Sequence, residues 1–313
     1  MGDIRNYFKS NITDPIHLQD KTINHLFYAD DLLLVSESPT GLQCCLHSLQ
    51  NYCSDWRLTG NLTKTKVIIF SKKAIEKYSH YFYYEPNAFE IVDSYKYLGI
   101  IFHFSGKFKA SVSNLADKAR KAFFALKAKL PCNNNLSAKS WLKLYNSMVV
   151  PILTYGSEVW ITEFKPNFEA FDKTQFEKTQ NMILKNILGV HSKSSNTAVK
   201  CELGMVPLSI KCYGLMYGYY SRLNQINEQL GGPRSLLKAA YEVDKLLIVK
   251  ENSWTNNGIQ YSKAMKISSL EISKELYKQK VGEFYKSKIN FKLSKIREES
   301  SGKLFFYSKI QKV

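Results

Sequence analysis

Tyr28-Ala29-Asp30-Asp31 lies between two short apolar runs, His25-Leu26-Phe27 and Leu32-Leu33-Leu34-Val35, and constrains the local fold more than any other stretch. Apolar segments of strand length joined by two acids read as a β-hairpin with carboxylates at its turn. Neighbouring carboxylates repel, and a divalent cation relieves that repulsion. Mg²⁺ favours one or two carboxylates together with waters and substrate phosphates. A pair of such ions, about 3.5–4 Å apart, clamps the attacking and leaving oxygens of a phosphoryl transfer. Alone, an Asp-Asp turn is more often a solvated hairpin tip; the segments that follow shift the balance.

After Pro39-Thr40-Gly41, residues Leu42, Cys45, Leu46, Leu49, Cys53 and Trp56 are spaced for one face of a helix, with Thr40 as its N-cap. Asn61-Leu62-Thr63-Lys64-Thr65-Lys66 then leads into a strand-like Val67-Ile68-Ile69-Phe70. Tyr95 to Phe102 reads as another strand, with Gly106 in the turn after it. Taken in this order, the segments resemble the second half of a reverse transcriptase from a LINE-type (non-LTR) retrotransposon. The resemblance makes the YADD hairpin the metal-binding turn of a polymerase palm. Trp56-Arg57-Leu58 and Asn61-Leu62-Thr63-Lys64-Thr65 resemble the family's next helix and strand, and Tyr97-Leu98-Gly99 resembles its primer-grip hairpin. Leu144 to Trp160 and Gly204-Met205-Val206-Pro207-Leu208 resemble the post-thumb region, so the likeness covers about residues 6–210. YADD by itself is a weak motif; the ordered series is strong. Gly60 departs from the pattern, standing where the family more usually has an aliphatic residue.

The larger departure lies upstream. A polymerase of this class needs a further catalytic aspartate on an earlier palm strand and a fingers domain. The sequence opens about two dozen residues before the YADD turn, and Asp3, Asp14 and Asp20 lie in no strand-like apolar context. The expectation is an incomplete active site.

Composition fits a folded nucleic-acid binder. The chain has 313 residues, 44% hydrophobic, with 20 tyrosines and 18 phenylalanines, enough for a real core. Its net charge of +17 calls for a polyanionic partner, and the family resemblance names RNA or an RNA/DNA duplex. Neither an apolar run near 18 residues nor a signal peptide or lipidation motif is seen, so no membrane association is expected. Cys44, Cys45, Cys53, Cys132, Cys201 and Cys212 lack zinc-site spacing, which predicts free thiols in a reducing, intracellular compartment, cytoplasmic or nuclear.

Farther on the pattern turns helical. Leu115, Ala119, Ala122, Phe123, Leu126 and Leu130 line one face, with Lys118, Arg120, Lys121, Lys127 and Lys129 mostly away from it. Such a basic face is either plain solvated surface or, as a thumb helix of the resembled family, a phosphate-contacting one. Ala138 to Val150 predicts a second helix, carrying Trp141, Leu144, Tyr145 and Met148 in the core and stopped by Pro151. Phe168, Phe171, Phe176, Thr179, Ile183 and Ile187 suggest a third, ending near Gly189. Asn224 to Ser235 is the candidate linker. Residues 261–313 carry an excess of eight positive charges, as a nucleic-acid arm or as a helical surface for a neighbour. His191 reads as a surface histidine. No nucleophile triad and no phosphate-cradling glycine loop is present.

The fold expectation is α+β: a partial antiparallel palm (residues 1–94), then primer grip, thumb and post-thumb region (95–210), then a basic helical C-terminal region (211–313). In a complete enzyme of the resembled family, Asp30 would ligate Mg²⁺, Asp31 would assist, and Tyr28 and Ala29 would lie against the primer end or nucleotide. Lys64 would neutralise the leaving pyrophosphate, or be an ordinary strand-end lysine. Tyr97, Leu98 and Gly99 would hold the primer backbone. Beyond nucleotide and metal, no small-molecule cofactor is expected. Three functions stay open: part of an RNA-directed DNA polymerase, a polymerase-derived nucleic-acid binder without catalysis, or a helical interaction protein whose basic surface is incidental.

Overall fold

Pro39 sets where the first long helix begins. Its missing N–H costs nothing in a first helical turn, and its ring holds the preceding residue in extended backbone. The computed structural model describes all residues except 1–3, 9, 72–79, 131–135, 165–170, 227–232, 248–252, 265–266, 268–273 and 300–313. In it Ser38 is extended (φ −132°, ψ 155°) and its hydroxyl accepts from the Gly41 amide. The N-cap is therefore Ser38, and Thr40, which the sequence pattern favours, lies inside the first turn.

The described elements begin with α1 (Ser10–Thr13), β1 (Ile16–Leu18), β2 (Lys21–Ile23), β3 (His25–Tyr28), β4 (Asp31–Leu34) and α2 (Pro39–Asp55). Then come β5 (Tyr83–Tyr84), β6 (Asn87–Ala88), β7 (Ser94–Tyr97), β8 (Ile100–His103), α3 (Lys109–Lys129) and α4 (Ala138–Leu144). A π-helical turn (Tyr145–Val149) leads to α5 (Val150–Leu153), α6 (Ser157–Trp160), α7 (Gln175–Leu188) and α8 (Asn196–Glu202). Last are α9 (Leu208–Gln225), α10 (Pro233–Leu246), α11 (Trp254–Ala264) and α12 (Lys274–Glu299). Among the described residues the strands form four separate antiparallel pairs, β1–β2, β3–β4, β5–β6 and β7–β8. The fold is α+β with helix in the majority. No described helix is long and apolar enough to cross a membrane. Contacts divide the chain into one unit of residues 1–108 with 226–246 and another of 109–225 with 247–313.

In the first unit α2 is the pillar. Ile4, Phe8, Cys45, Tyr52 and Cys53 form one buried cluster around it, and Leu46, Val67, Phe82 and Phe89 form a second. Leu34 of β4 packs against both. Burial pushes the Cys45 thiol up to about 11, with the neighbouring Cys44 and Asp14 adding to it. Trp56 leaves the apolar stripe, because the helix ends before it: it is the C-cap and 56% exposed. Val67 to Phe70 forms no ladder. Val67 makes one parallel bridge to Ile91, and no regular partner strand extends it. The run from Tyr95 to Phe102 is two strands, because Leu98 (φ 46°) and Gly99 (φ 85°) both adopt left-handed backbone and fold it into a two-residue hairpin turn. Gly106 (φ 70°) makes the next turn.

In the second unit α3 packs on α7 and α5, α9 on α6 and α12, and α7 on α8. Phe123, Trp141, Tyr145, Phe171, Phe176 and Ile183 are all buried. Met148, assigned to the core by spacing, is 49% exposed. The π turn explains this: the Val150 amide donates to Tyr145 five residues back, which rotates Met148 off the buried stripe. Pro151 therefore does not stop the helix. It enters α5 in a first turn, where its missing N–H is tolerated. α7 begins at Gln175 and ends at Gly189 (φ 68°), a left-handed C-cap; Phe168 lies outside the described residues. Most of the candidate linker does too, since α9 runs to Gln225 and α10 starts at Pro233. In the basic C-terminal region Tyr277 stacks on Tyr217 (centroids 4.1 Å) and Tyr261 on Tyr213, so its tyrosines are core residues of this unit.

One charged pair is sealed inside this unit. Glu177 is fully buried, accepting from the Ser209 amide (3.0 Å) and from Lys200 (3.2 Å), whose side chain is 4% exposed. Burial pushes the Glu177 carboxyl up, against the lowering by Lys200 and the amide. Removing one partner strands the other in a medium that cannot solvate it. Lys200→Met is expected to cost about 3–5 kcal/mol in urea unfolding at neutral pH, and adding Glu177→Gln to recover at least half of it. At the β7–β8 turn, Leu98 carries a left-handed backbone that disfavours it by about 1–2 kcal/mol. Leu98→Asn, which suits such a turn, should raise stability by about 1 kcal/mol in the same assay.

Candidate functional site

Tyr28 and Asp31 are directly paired across β3 and β4, so Ala29 and Asp30 alone make the turn. Ala29 takes φ 53° to close it. Asp30 stands at the tip and Asp31 is the first residue of the returning strand, both exposed, and Tyr28 beside them is 64% exposed. Alternation along a strand puts Leu26, Tyr28, Asp31 and Leu33 on one face and His25, Phe27, Leu32 and Leu34 on the other. The second face is the anchored one: His25 stacks on Phe8 (5.1 Å) and Leu34 enters both clusters around α2.

The base of this hairpin is held by hydrogen bonds that no periodic pattern announces. The Val35 amide donates to the Asn24 carbonyl (2.9 Å), and Asn24, buried, donates from its side chain to the Thr13 hydroxyl (3.3 Å). Ser36 donates to the Thr13 carbonyl (2.9 Å), and the Glu37 amide to the Asp14 carbonyl (2.8 Å). The base of the hairpin is thus hydrogen-bonded, while the carboxylates at its tip are exposed.

The β7–β8 hairpin contacts the Lys64 turn and carries the tyrosine that senses the Asp31 charge. Tyr95 and Tyr97, two residues apart, share a face of β7. The Tyr95 hydroxyl donates to the Lys64 carbonyl (2.7 Å). Tyr97 has its phenol pKa raised by burial and by the Asp31 carboxylate, which places that ring within the field of the acidic turn. Lys64 sits in a turn rather than at a strand end. Asn61 holds that turn, accepting from the Lys64 amide (3.3 Å) and, through its carbonyl, from the Thr65 hydroxyl (3.0 Å). Asp31, Tyr97 and the Lys64 turn thus belong to one unit, with Leu98 and Gly99 at the tip beyond Tyr97. Tyr95, Asn61 and Asn24 make the hydrogen bonds that hold these segments; Asn61 and Tyr95 appear in the sequence reading only as members of longer runs, and Asn24 not at all. For Tyr95 a signal exists, its i, i+2 relation to Tyr97.

A metal at the acidic turn would have Asp30 and Asp31 to hold it. Among the described residues no group of three or more Asp, Glu, His or Cys side chains comes together. The donor set fits one loosely held hard cation completed by waters and phosphate, and does not fit a fixed pair.

The basic helix face belongs to the other unit. Arg120, Lys121 and Lys129 are exposed, while Lys118 and Lys127 are half-buried. Arg120 pairs with Asp117 (3.0 Å), and Lys127 donates to the Asn186 side chain (2.8 Å). The face available to a polyanion is therefore narrower than five charges.

Comparison with known proteins converges on these elements. Residues 4–102 match the family model of reverse transcriptases (RNA-dependent DNA polymerases), a span that ends within β8 and takes in both hairpins. The chain is 27% identical over 148 residues to a transposon-derived protein of Caenorhabditis elegans, covering 46% of this chain and 51% of that protein. It is 23% identical over 214 residues to the RNA-directed DNA polymerase from the mobile element jockey of Drosophila funebris, covering 65% of this chain and 23% of that protein. The chain thus spans about half the length of the first relative and about a quarter of the second. No solved structure matches it. The acidic YADD turn and the Tyr-Leu-Gly hairpin both lie inside the matched span, so they belong to the part of the chain that is similar to reverse transcriptases.

Proposed function

We propose that the first unit is the metal-bearing part of a polymerase palm joined to its primer grip, and that α3 opens a helical thumb. The reading rests on one observation above others: the Tyr95 hydroxyl of β7 donates to the Lys64 carbonyl (2.7 Å), while, two residues on, the Asp31 carboxylate adds to burial in raising the Tyr97 phenol pKa. Carboxylates, a cation and a backbone-gripping turn within one unit are the parts a primer-terminus site needs.

In that site Asp30 and Asp31 hold a divalent cation, which supplies charge neutralisation for the primer 3′-hydroxyl and the nucleotide phosphates when bound. Tyr28 and the small Ala29 flank the place of the primer end. Lys64, its backbone fixed by Asn61 and Tyr95, sets an ammonium near the acidic turn to balance charge on the departing pyrophosphate. Gly99 leaves room for close approach of the primer backbone. RNA or an RNA/DNA duplex is the partner, held without sequence preference by lysine and arginine on phosphate.

The two carboxylates alone cannot fix a pair of ions, so the 313-residue polypeptide should bind template–primer duplex and not extend it. With Arg120, Lys121 and Lys129 as the exposed contacts, affinity is expected to fall about 40-fold between ~50 and ~200 mM salt. Lys121→Gln with Lys129→Gln should flatten that slope by about 2. A primer-extension assay in Mg²⁺ and in Mn²⁺, beside Asp30→Ala, tests the catalytic half. No product is expected from either protein, and duplex binding should be equal or slightly tighter in the variant. Product made by the parent and lost in Asp30→Ala would show that another acid completes the site.

A further inference from the structure

A cleft of about 500 Å³ lies along α7 in the second unit, within the size range of a small-ligand site. Lys178, Asn181, Met182 and Lys185 of α7 line it, with Val190 from the loop beyond and Asn196 from α8. Asn181 is 5% exposed, and among the described residues neither its side-chain nitrogen nor its side-chain oxygen has a hydrogen-bond partner. The side-chain oxygen of Asn196, which lines the same cleft, is also buried and has no partner among them. Buried amides are costly when unpaired, and most native ones are paired. The neighbouring Gln180 shows what this helix does with an ordinary buried amide: it accepts from Tyr145 (3.2 Å) and donates to the Val206 carbonyl (2.8 Å).

The lining specifies a ligand. A carboxamide offers a donor and an acceptor side by side, the pattern that pairs with a nucleobase edge. Met182 and the 40% exposed Val190 supply apolar surface for the flat faces of a base. Lys178 is exposed at the rim and suits a phosphate; Lys185 is held there by the Ser192 carbonyl (2.7 Å). An acidic peptide would use the lysines but leave the amides unanswered. The cleft also adjoins the basic helix, since Lys127 of α3 donates to Asn186, another of its lining residues.

We propose that this cleft takes one unpaired nucleotide of a single strand, its base on Asn181 and Asn196 and its phosphate on Lys178. The inference rests on the nucleic-acid reading of the preceding subsection and adds a second, single-strand site to it. The test is fluorescence anisotropy of the full chain with a labelled 12-nucleotide RNA, a blunt duplex and a free mononucleotide. Asn181→Leu should weaken binding of the single strand at least 10-fold and leave duplex affinity within 2-fold. It should also raise the melting temperature, because it removes the unpaired amide. Lys178→Gln, an exposed change that leaves the core untouched, should lower the single-strand salt slope by about 1. A 4-thiouridine oligonucleotide should crosslink to the peptide containing Met182. Single-strand binding that ignores both variants and crosslinks elsewhere overturns the cleft while leaving the nucleic-acid reading standing. A lower melting temperature in Asn181→Leu with unchanged binding, or a mononucleotide that binds as tightly as the 12-mer, also overturns it. Failure of the parent chain to bind either nucleic acid would sink both readings.

Discussion

Among the described residues Leu34 is the one side chain that packs against both buried clusters flanking the Pro39–Asp55 helix, and the aim of the acidic turn depends on it. β3 and β4 have no third strand among the described residues, so no sheet ladder holds the hairpin from outside. What fixes it is one apolar anchor at the returning strand, His25 on Phe8, and the polar base around Asn24 and Thr13. A two-stranded hairpin is marginal by itself, and its stability here is borrowed from the helix. The open face, with Leu26 at 40% and Tyr28 at 64% exposure, is what remains when only one side is packed.

The second unit is organised by a different constraint. Glu177 and Lys200 sit in its interior with Ser209, Gln180 and Tyr145, a set of polar groups among aromatic rings. Such a network adds little net stability over apolar packing, but it tolerates few arrangements. It links α7 to α8 and to the start of α9. The stacked pairs Tyr213–Tyr261 and Tyr217–Tyr277 then bind α11 and α12 to α9, and burial pushes the hydroxyls of Tyr213, Tyr261 and Tyr277 far up.

The acidic hairpin was legible because period-2 apolar runs flank a two-residue turn, and both signals are local. Helix α7 was legible at its end, where Gly189 must be left-handed, and less so at its start. Ser38 and Thr40 both offer a capping hydroxyl beside Pro39, and only the proline's place in the first turn decides between them. The π turn at Tyr145–Val149 was invisible, since the same apolar spacing serves an α-helix until one extra residue rotates the face. Long-range polar contacts such as Asn24 on Thr13, or Tyr95 on Lys64, leave no periodic trace at all. The basic face of α3 shows the converse: five charges stand out in sequence, yet Arg120 and Lys127 already have protein partners.

Places where a local rule is broken coincide with the candidate sites. Ala29 and Leu98, both non-glycine residues with left-handed backbone, stand at the tips of the β3–β4 and β7–β8 hairpins. Asn181 and Asn196 hold unpaired buried atoms in the cleft beside the basic helix. Other left-handed residues occur, at Asp14, Gln19 and Arg57, so strain by itself marks nothing. Its weight comes from company: Leu98 is also exposed, apolar and next to a glycine that opens the backbone to approach. At this tip the left-handed leucine is thus one of three local features, beside its exposed apolar side chain and the adjoining glycine, that a packed hairpin turn does not require.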